Sequence, residues 1–355
     1  MNGQNTQKGI ASDGRGPPFD KLRARAEYHK KFILLDRDGT LVRDPGQPIM
    51  TVTSEDILSG VVEGLRLLQD NGYEFFIVSN QSGIARGNYT EEKFLESQRQ
   101  TFSVFKEQGI TFDGAEYCPH HPDANCGCRK PAIGMWNRLK ERYSGLIPEN
   151  GAMIGNRNSD VGFGKAVGCR TARIDTGQYP YTVIADDTVR SVGEFAERLI
   201  HGNPTVQLLH DVAALSEKAR EEGKTIVTTN GTFDLLHPGH LYLLTQARLR
   251  GDLLIVGVNS DASVKRYKGP DRPVEPQDVR ALKVARHSDA VFIFDDDDPR
   301  PWLSKIRPHV HVNAETYGKD CVEAPVLREI GAELVLVPVQ PEFGSTSAIL
   351  QNRRA

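Results

Sequence analysis

The sequence predicts an α/β protein built from two consecutive doubly wound, parallel-sheet domains. Three observations carry that expectation. The chain has 355 residues, about two domains' worth at roughly 150 residues each. Short continuous apolar runs alternate with stretches of helical periodicity, the pattern of strands buried on both faces and joined by crossover helices. The alternation breaks near Asn203-Pro204-Thr205 and then starts again.

Residues 1–27 include Asn2-Gly3-Gln4-Asn5 and Gly14-Arg15-Gly16-Pro17-Pro18, too polar and broken to pack, so a mobile tail is expected. Lys31-Phe32-Ile33-Leu34-Leu35 reads as the first buried strand and delivers Asp36. Residues 61–71 read as a helix with Leu65 and Leu68 on one side and Gly72 as its stop. Phe75-Phe76-Ile77-Val78 is a second strand ending at Ser79-Asn80; a helix recurs near 91–108, and Ala152-Met153-Ile154 is a strand before Gly155. Past residue 204, a charged helix at about 211–222 leads to strands at 225–228, 253–258, 291–294, 309–312 and 333–337. The expected division is a tail over 1–27, a first Rossmann-like domain over 28–203 and a second over 204–355. Asp295–Asp298 reads as a solvated acidic loop.

Composition narrows the function classes. Hydrophobic residues at 38% and charged ones at 26% argue against wholesale disorder. With 44 basic against 47 acidic residues, the net charge of −3 lacks the basic surplus of a nucleic-acid binder. No apolar run approaches the ~18 residues of a membrane-spanning helix, and the first 30 residues hold no apolar signal core, so a cytoplasmic protein is expected. Of five cysteines, Cys118, Cys126 and Cys128 crowd together, which suggests a local metal site rather than a disulfide framework.

Asp36-Arg37-Asp38-Gly39-Thr40 leaves a buried strand at the end where open α/β sheets place their ligand crevice. Carboxylates two residues apart can hold Mg²⁺ through oxygen. A carboxylate can also attack phosphorus while its neighbour handles the leaving-group proton. Taken alone, the pair serves equally well as a helix cap or an acidic loop. Ser79 and Asn80 end the second strand with a hydroxyl and an amide for phosphate oxygens, and Lys130 supplies a cation. Gly155-Asn156-Arg157-Asn158-Ser159-Asp160 follows a later strand in position to complete a metal site. Over about residues 31–200, this order resembles the haloacid dehalogenase superfamily of phosphatases.

Cys118-Pro119-His120-His121-Pro122 and Cys126-Gly127-Cys128-Arg129-Lys130 narrow the resemblance. Three thiolates and an imidazole make a closed tetrahedral set, so Cys118, His120, Cys126 and Cys128 are expected to bind structural Zn²⁺. His121 is read as a neighbour, a Cys126–Cys128 disulfide would be strained, and Cys169 and Cys321 are read as buried thiols. The loop is similar to those of the D-glycero-D-manno-heptose 1,7-bisphosphate phosphatases and the histidinol-phosphate phosphatases. Asn80-Gln81-Ser82-Gly83-Ile84-Ala85-Arg86-Gly87 is closer to the heptose family. That resemblance implies Asp36 as nucleophile, Asp38 as general acid/base, and Mg²⁺ on Asp36, Asp38 and Asn156. It implies phosphate stabilisation by Ser79, Asn80 and Lys130, substrate recognition by Arg129 and Arg157, and sugar contact by residues 44–47. The chain departs from the family at Asn156, where an amide replaces a carboxylate that Mg²⁺ favours; Asp160 could compensate through water.

In the second half, Thr229-Asn230-Gly231-Thr232-Phe233-Asp234-Leu235-Leu236-His237-Pro238-Gly239-His240 begins where a buried strand ends. Gly239 permits close backbone approach, and imidazoles three residues apart can face one phosphate chain. Each can donate to oxygens whose charge grows as phosphorus is attacked. A lone His-x-x-His is usually surface or core decoration; behind Gly-x-Phe-Asp at a strand end it is specific. Over about 205–350 this resembles the nucleotidylyltransferase superfamily. Asn259-Ser260-Asp261-Ala262-Ser263-Val264-Lys265-Arg266-Tyr267-Lys268-Gly269 with Arg272-Pro273-Val274 is closest to adenylyltransferases that make ADP-heptose. Gly344-Ser345-Thr346-Ser347 reads as a helix start suited to the outer phosphates of ATP. The resemblance implies nucleotide binding by Thr232, Phe233, His237, His240, Ser345, Thr346 and Ser347, with His237 and His240 catalytic. It implies charge neutralisation by Lys268 and Arg272, and Mg²⁺ in both activities. Where the heptose family has Lys-Gly-Gly-Asp-Tyr, this chain reads Asn313-Ala314-Glu315-Thr316-Tyr317, and the helix after Pro276 is short.

Together the halves suggest removal of the 7-phosphate from heptose 1,7-bisphosphate, then coupling of heptose 1-phosphate to AMP from ATP. The expected partners are heptose phosphates and ATP, with no nucleic acid or membrane; homo-oligomerisation is left open. The alternative is a nucleotidylyltransferase whose first domain is a weakened or inactive phosphatase-like scaffold.

Overall fold

The structure is a computed structural model that describes residues 30–46 and 49–339. The tail expected over 1–27, Gln47 and the helix start at Ser345, Thr346 and Ser347 lie outside the described residues.

The first half is a six-stranded sheet: β1 (Lys30–Leu35), β2 (Tyr73–Asn80), β3 (Gly114–Cys118), β4 (Leu146–Gly155), β5 (Arg170–Ile174) and β6 (Asp187–Val189). All pairings are parallel, in the order β3-β2-β1-β4-β5-β6. Because side chains alternate across a strand, the apolar runs split between two cores. Ile33, Leu35, Phe75 and Ile77 pack with Leu65, Leu68 and Phe195 from the helices Val61–Asp70 and Val192–His201. Phe32, Leu34, Phe76 and Val78 face the opposite layer, with Trp136 and Phe163 from Gly134–Arg142 and Asn158–Val167. Trp136 stacks on Phe32 at 5.4 Å.

The second half repeats the plan with β7 (Val206–Gln207), β8 (Ile226–Gly231), β9 (Leu253–Asn259), β10 (Ala290–Phe294), β11 (Val310–Ala314) and β12 (Glu333–Val337). These strands are all parallel, in the order β12-β11-β8-β9-β10-β7. One face packs Val227, Leu254 and Val256 against Leu241 and Leu244; the other packs Ile226, Ile255 and Phe292 against Trp302. The α/β class is therefore as the apolar runs predict.

The order of strand addition reverses between β1 and β4 in one sheet and between β8 and β11 in the other. Open parallel sheets bind ligands beyond the carboxyl ends of strands at such reversals, and Asp36 and Asn230 sit at them. The short strands β6 and β7, the polar strand β3 and β5, whose Arg170-Thr171-Ala172-Arg173-Ile174 breaks the apolar run, add to the strands expected from apolar runs. Among the described residues, no helix is long and apolar enough to cross a membrane.

Candidate active sites

The first cleft, of about 400 Å³, opens beyond β1 and β2. Burial pushes the Asp36 carboxyl up to about 7, against the pull of Lys130 and with the Asp160 and Asp38 charges adding to the rise. The Lys130 ammonium is 2.6 Å from Asp36 Oδ1 and 2.6 Å from Asp160 Oδ1, and donates to the Val78 carbonyl at 2.7 Å. Burial alone would depress Lys130, but the Asp160 and Asp36 carboxylates outweigh it and raise its pKa. A charged lysine therefore stands against the carboxylate at the strand exit.

Asp38, at the same exit, accepts from Gln81 Nε2 at 2.9 Å. Gln81 also donates to Ser79 Oγ at 2.7 Å and accepts from the Tyr89 hydroxyl at 2.7 Å. Gln81 and Tyr89 were not picked out as site residues, although Gln81 lies inside the quoted motif. Asn80 lines the cleft, but its amide is occupied by the Lys130 backbone, accepting from Lys130 N at 3.0 Å and donating to Lys130 O at 3.2 Å. Its geometry positions Lys130. Arg129 lines the cleft too, its Nη1 buried without a hydrogen-bond partner among the described residues. Arg157 Nη2 donates to Asp44 Oδ2 at 2.9 Å and to the Tyr179 hydroxyl at 2.6 Å, at the cleft rim.

One Asp160 oxygen faces Lys130, and the other accepts from Arg157 N at 2.9 Å. Asn156 is 1% exposed, and neither amide atom has a hydrogen-bond partner among the described residues. Gly39 permits its approach, since a Cβ there would stand 2.0 Å from Asn156 Nδ2. Its orphaned amide oxygen, together with Asp36 and Asp38 of the cleft lining, makes a donor set that could hold a hard cation. The set carries one charge fewer than three carboxylates would.

Beyond β3, Cys118, His120, Cys126 and Cys128 bring their ligand atoms within 4.8 Å of one another. The sulfur–sulfur contacts are 3.5 Å and 3.6 Å, and His120 Nδ1 is 3.2 Å from Cys128 Sγ. Such edges are close to the ~3.7 Å between sulfurs of a tetrahedron with ~2.3 Å Zn–S bonds, and far above the ~2 Å of a disulfide. His121 Nδ1 instead accepts from Asp123 N. Cys169 and Cys321 are buried free thiols.

The second cleft, of about 640 Å³, lies beyond β8 and β11. His237 caps the helix Pro238–Arg248, and its ring stacks on His240 with centroids 3.7 Å apart. Both Nδ1 atoms are buried without a partner among the described residues. Burial lowers the His237 pKa; burial, then His237 and Lys268, push His240 down to about 3. Two neutral imidazoles are thereby presented side by side. Phe233 meets His240 edge-on at 5.4 Å, and Thr232 Oγ1 is 2.6 Å from the Tyr267 hydroxyl. Phe233 and Leu235 hold φ of 50° and 51°, a left-handed conformation that costs non-glycine residues and clusters at functional sites.

Lys268 and Arg272 both line this cleft. Burial, then Arg272, lower the Lys268 pKa. Asp234, the only carboxylate among the described lining residues, receives Arg272 Nε at 2.9 Å and the Val274 and Glu275 amides. It orients the arginine rather than standing open to a cation. Fully buried Arg280 binds the carbonyls of Thr232, Asn259 and Glu275 and Asp261 Oδ1; sequence reading passed over it because its partners are remote in the chain. In place of the family's lysine, Asn313 enters this cleft with Nδ2 buried and unpartnered among the described residues.

Comparison with known proteins follows this division. A polynucleotide kinase 3 phosphatase model matches residues 31–184 and a cytidylyltransferase-like model matches 228–347. The bifunctional protein HldE of Nitratiruptor is 41% identical over 352 residues, covering 93% of this chain and 69% of the relative. This chain belongs to the bifunctional HldE family. Against HldE of Streptomyces coelicolor the identity is 37% over 233 residues, 65% of this chain. The chain spans only 45% of that relative's length. The D,D-heptose 1,7-bisphosphate phosphatase of B. bronchiseptica, solved with magnesium and phosphate, is 24% identical, covers 48% of this chain and 98% of its own, and has a TM-score of 0.41. This member of the HldE family thus joins a phosphatase-like half to a cytidylyltransferase-like half.

Proposed function

We propose that the chain carries out two successive steps in the activation of a heptose. The first half, divided from the second near residue 204, hydrolyses the 7-phosphate of D-glycero-D-manno-heptose 1,7-bisphosphate. The second transfers AMP from ATP to the resulting heptose 1-phosphate, giving ADP-heptose and pyrophosphate. The observation that carries this reading is the pairing of clefts, each at a reversal of strand order, one holding Asp36 against Lys130 and the other holding stacked His237 and His240.

In the first cleft, Asp36 attacks phosphorus and forms an aspartyl-phosphate, and Lys130 neutralises the transferred group. Asp38, steadied by Gln81, protonates the leaving sugar oxygen and then takes a proton from the water that releases phosphate. Mg²⁺ held by Asp36, Asp38 and Asn156 would supply further charge neutralisation. In the second cleft, the sugar phosphate oxygen attacks the α-phosphorus in line, with no covalent intermediate. His237 and His240 donate to the oxygens gaining charge, and Lys268 and Arg272 offset the rest; Mg²⁺ bound to the triphosphate would add charge neutralisation. Zn²⁺ on the four-ligand cluster is structural. A cytoplasmic setting fits these water-soluble substrates.

Incubation with the bisphosphate, ATP and Mg²⁺, reading inorganic phosphate and pyrophosphate separately, tests both steps. Release of both supports the full reading. Pyrophosphate only from supplied heptose 1-phosphate, with no phosphate release, supports the second reading, a scaffold-like first half. The neutral Asn156 is the observation that favours that alternative.

A further inference from the structure

Residues 176–183 belong to the first half by chain order, yet they touch both residues that line the first cleft and the core of the second half. On one side, the Tyr179 hydroxyl donates to Asp44 Oδ2 at 2.7 Å and accepts from Arg157 Nη2 at 2.6 Å; Arg157 donates to the same Asp44 oxygen at 2.9 Å. This triangle is closed by stacking, with the guanidinium 4.2 Å from the Tyr179 ring centroid. Arg157 Nε and Nη1 make no hydrogen bond among the described residues and stay available to the cleft it lines. Asp44 is kept ionised: burial raises its pKa, but bonds from Tyr179, Gly46 and Arg157 more than offset this and lower it.

The same segment is stitched to the base of that cleft. Asn158 accepts from the Thr182 and Val183 amides at 3.1 Å and 3.2 Å and donates to Pro180 O at 3.0 Å. Arg173 donates to Tyr179 O at 2.8 Å and Pro180 O at 3.1 Å.

On the other side, the segment is held by the second half. Tyr181 is 1% exposed and packs in the core that contains Val227, Phe233 and Leu241. Its hydroxyl is 2.7 Å from Thr188 Oγ1, which is 2.8 Å from His287 Nδ1. Gly177, at φ +68°, lies so close to Leu249 that a Cβ would stand 2.7 Å from Leu249 Cδ1. Leu249 ends the helix that begins behind His237.

We propose that Tyr179 is a positioning residue of the first cleft, and that residues 176–183 form a strap gripped by the second half, which thereby sets the first half's affinity for its sugar bisphosphate. The proposal rests on the phosphatase reading above. Holding Arg157 in place before the ligand arrives removes an ordering cost from binding. The benefit falls on the part of the ligand that reaches the rim, not on the phosphoryl group beside Lys130.

The test is isothermal titration of the full chain carrying Asp36→Asn, which needs no turnover, with D-glycero-D-manno-heptose 1,7-bisphosphate and with inorganic phosphate as ligands. Adding Tyr179→Phe, which keeps the ring and loses the hydroxyl, is expected to weaken bisphosphate binding about tenfold and leave phosphate binding within about twofold. Adding Tyr181→Ala instead removes the ring that packs in the second half's core, and is expected to weaken bisphosphate binding by a similar factor while leaving phosphate binding within about twofold. Unchanged bisphosphate affinity in Tyr179→Phe, or equal losses for both ligands, overturns the positioning role. Unchanged bisphosphate affinity in Tyr181→Ala, or equal losses for both ligands, overturns the grip. If the Asp36→Asn chain with its strap intact binds no bisphosphate, the substrate reading falls and takes the strap's role with it.

Discussion

Asp36 sits under opposing demands: burial favours the protonated acid, while Lys130 at 2.6 Å favours the nucleophilic carboxylate. Asp36→Asn removes the attacking oxygen while keeping the shape, so phosphate release should fall by at least about 10³-fold. Pyrophosphate formation from supplied heptose 1-phosphate should be unaffected, and measuring both products on one preparation checks this. At Asn156, an amide stands where a carboxylate would bring a further charge to a bound cation. Asn156→Asp is expected to lower the Mg²⁺ concentration giving half-maximal phosphate release about tenfold, read from a magnesium titration. In the other cleft, His240→Ala leaves growing negative charge without one of its two donors. A drop of about 10²–10³-fold in the pyrophosphate rate is expected.

Among the elements, the loop from Cys118 to Lys130 links the Cys/His cluster to the first cleft. Cys128 is two residues before Lys130, so the cluster fixes where that ammonium stands. Cys126→Ser should lower bound zinc from about one per chain, measured by elemental analysis. It should abolish phosphate release while leaving pyrophosphate formation. This loop was legible because ligand spacing is local. So were β1 and β8, whose apolar runs are continuous. Strand β3 was not, because Gly114-Ala115-Glu116-Tyr117-Cys118 carries a buried acid that only tertiary partners explain: Glu116 is paired with Arg138 and Arg142. Strands β6 and β7 are three and two residues long, too short to show a period. Gln81, Tyr179 and Arg280 escaped the sequence reading for a related reason. Their roles arise from partners brought near by the fold, and no spacing rule encodes Asp44 beside Tyr179 or Thr232 beside Arg280.

At the scale of the molecule, the halves are joined by polar contacts rather than a bare linker. Arg198 donates to the carbonyls of Arg286 and Ser288, and Arg190 pairs with Asp289 at 2.8 Å. His287 in this junction and His311 in the second core are fully buried, and burial presses each down to about 3 from 6.5. The unfolded chain therefore takes up these protons first as pH falls. Stability present above about 6.5 is lost on acidification toward 3, by about 2 kcal/mol for each histidine at pH 5. Denaturant unfolding at pH 7 and pH 5 checks the loss, and His287→Gln should reduce its dependence on pH.

The chain has two tryptophans, Trp136 stacked on Phe32 behind the first sheet and Trp302 packed on Phe292 behind the second. Each half thus carries its own intrinsic fluorophore, shielded from water at 4% and 1% exposure. Replacing either indole with phenylalanine leaves one emission signal per half, so melting of one half can be watched while the other stays folded.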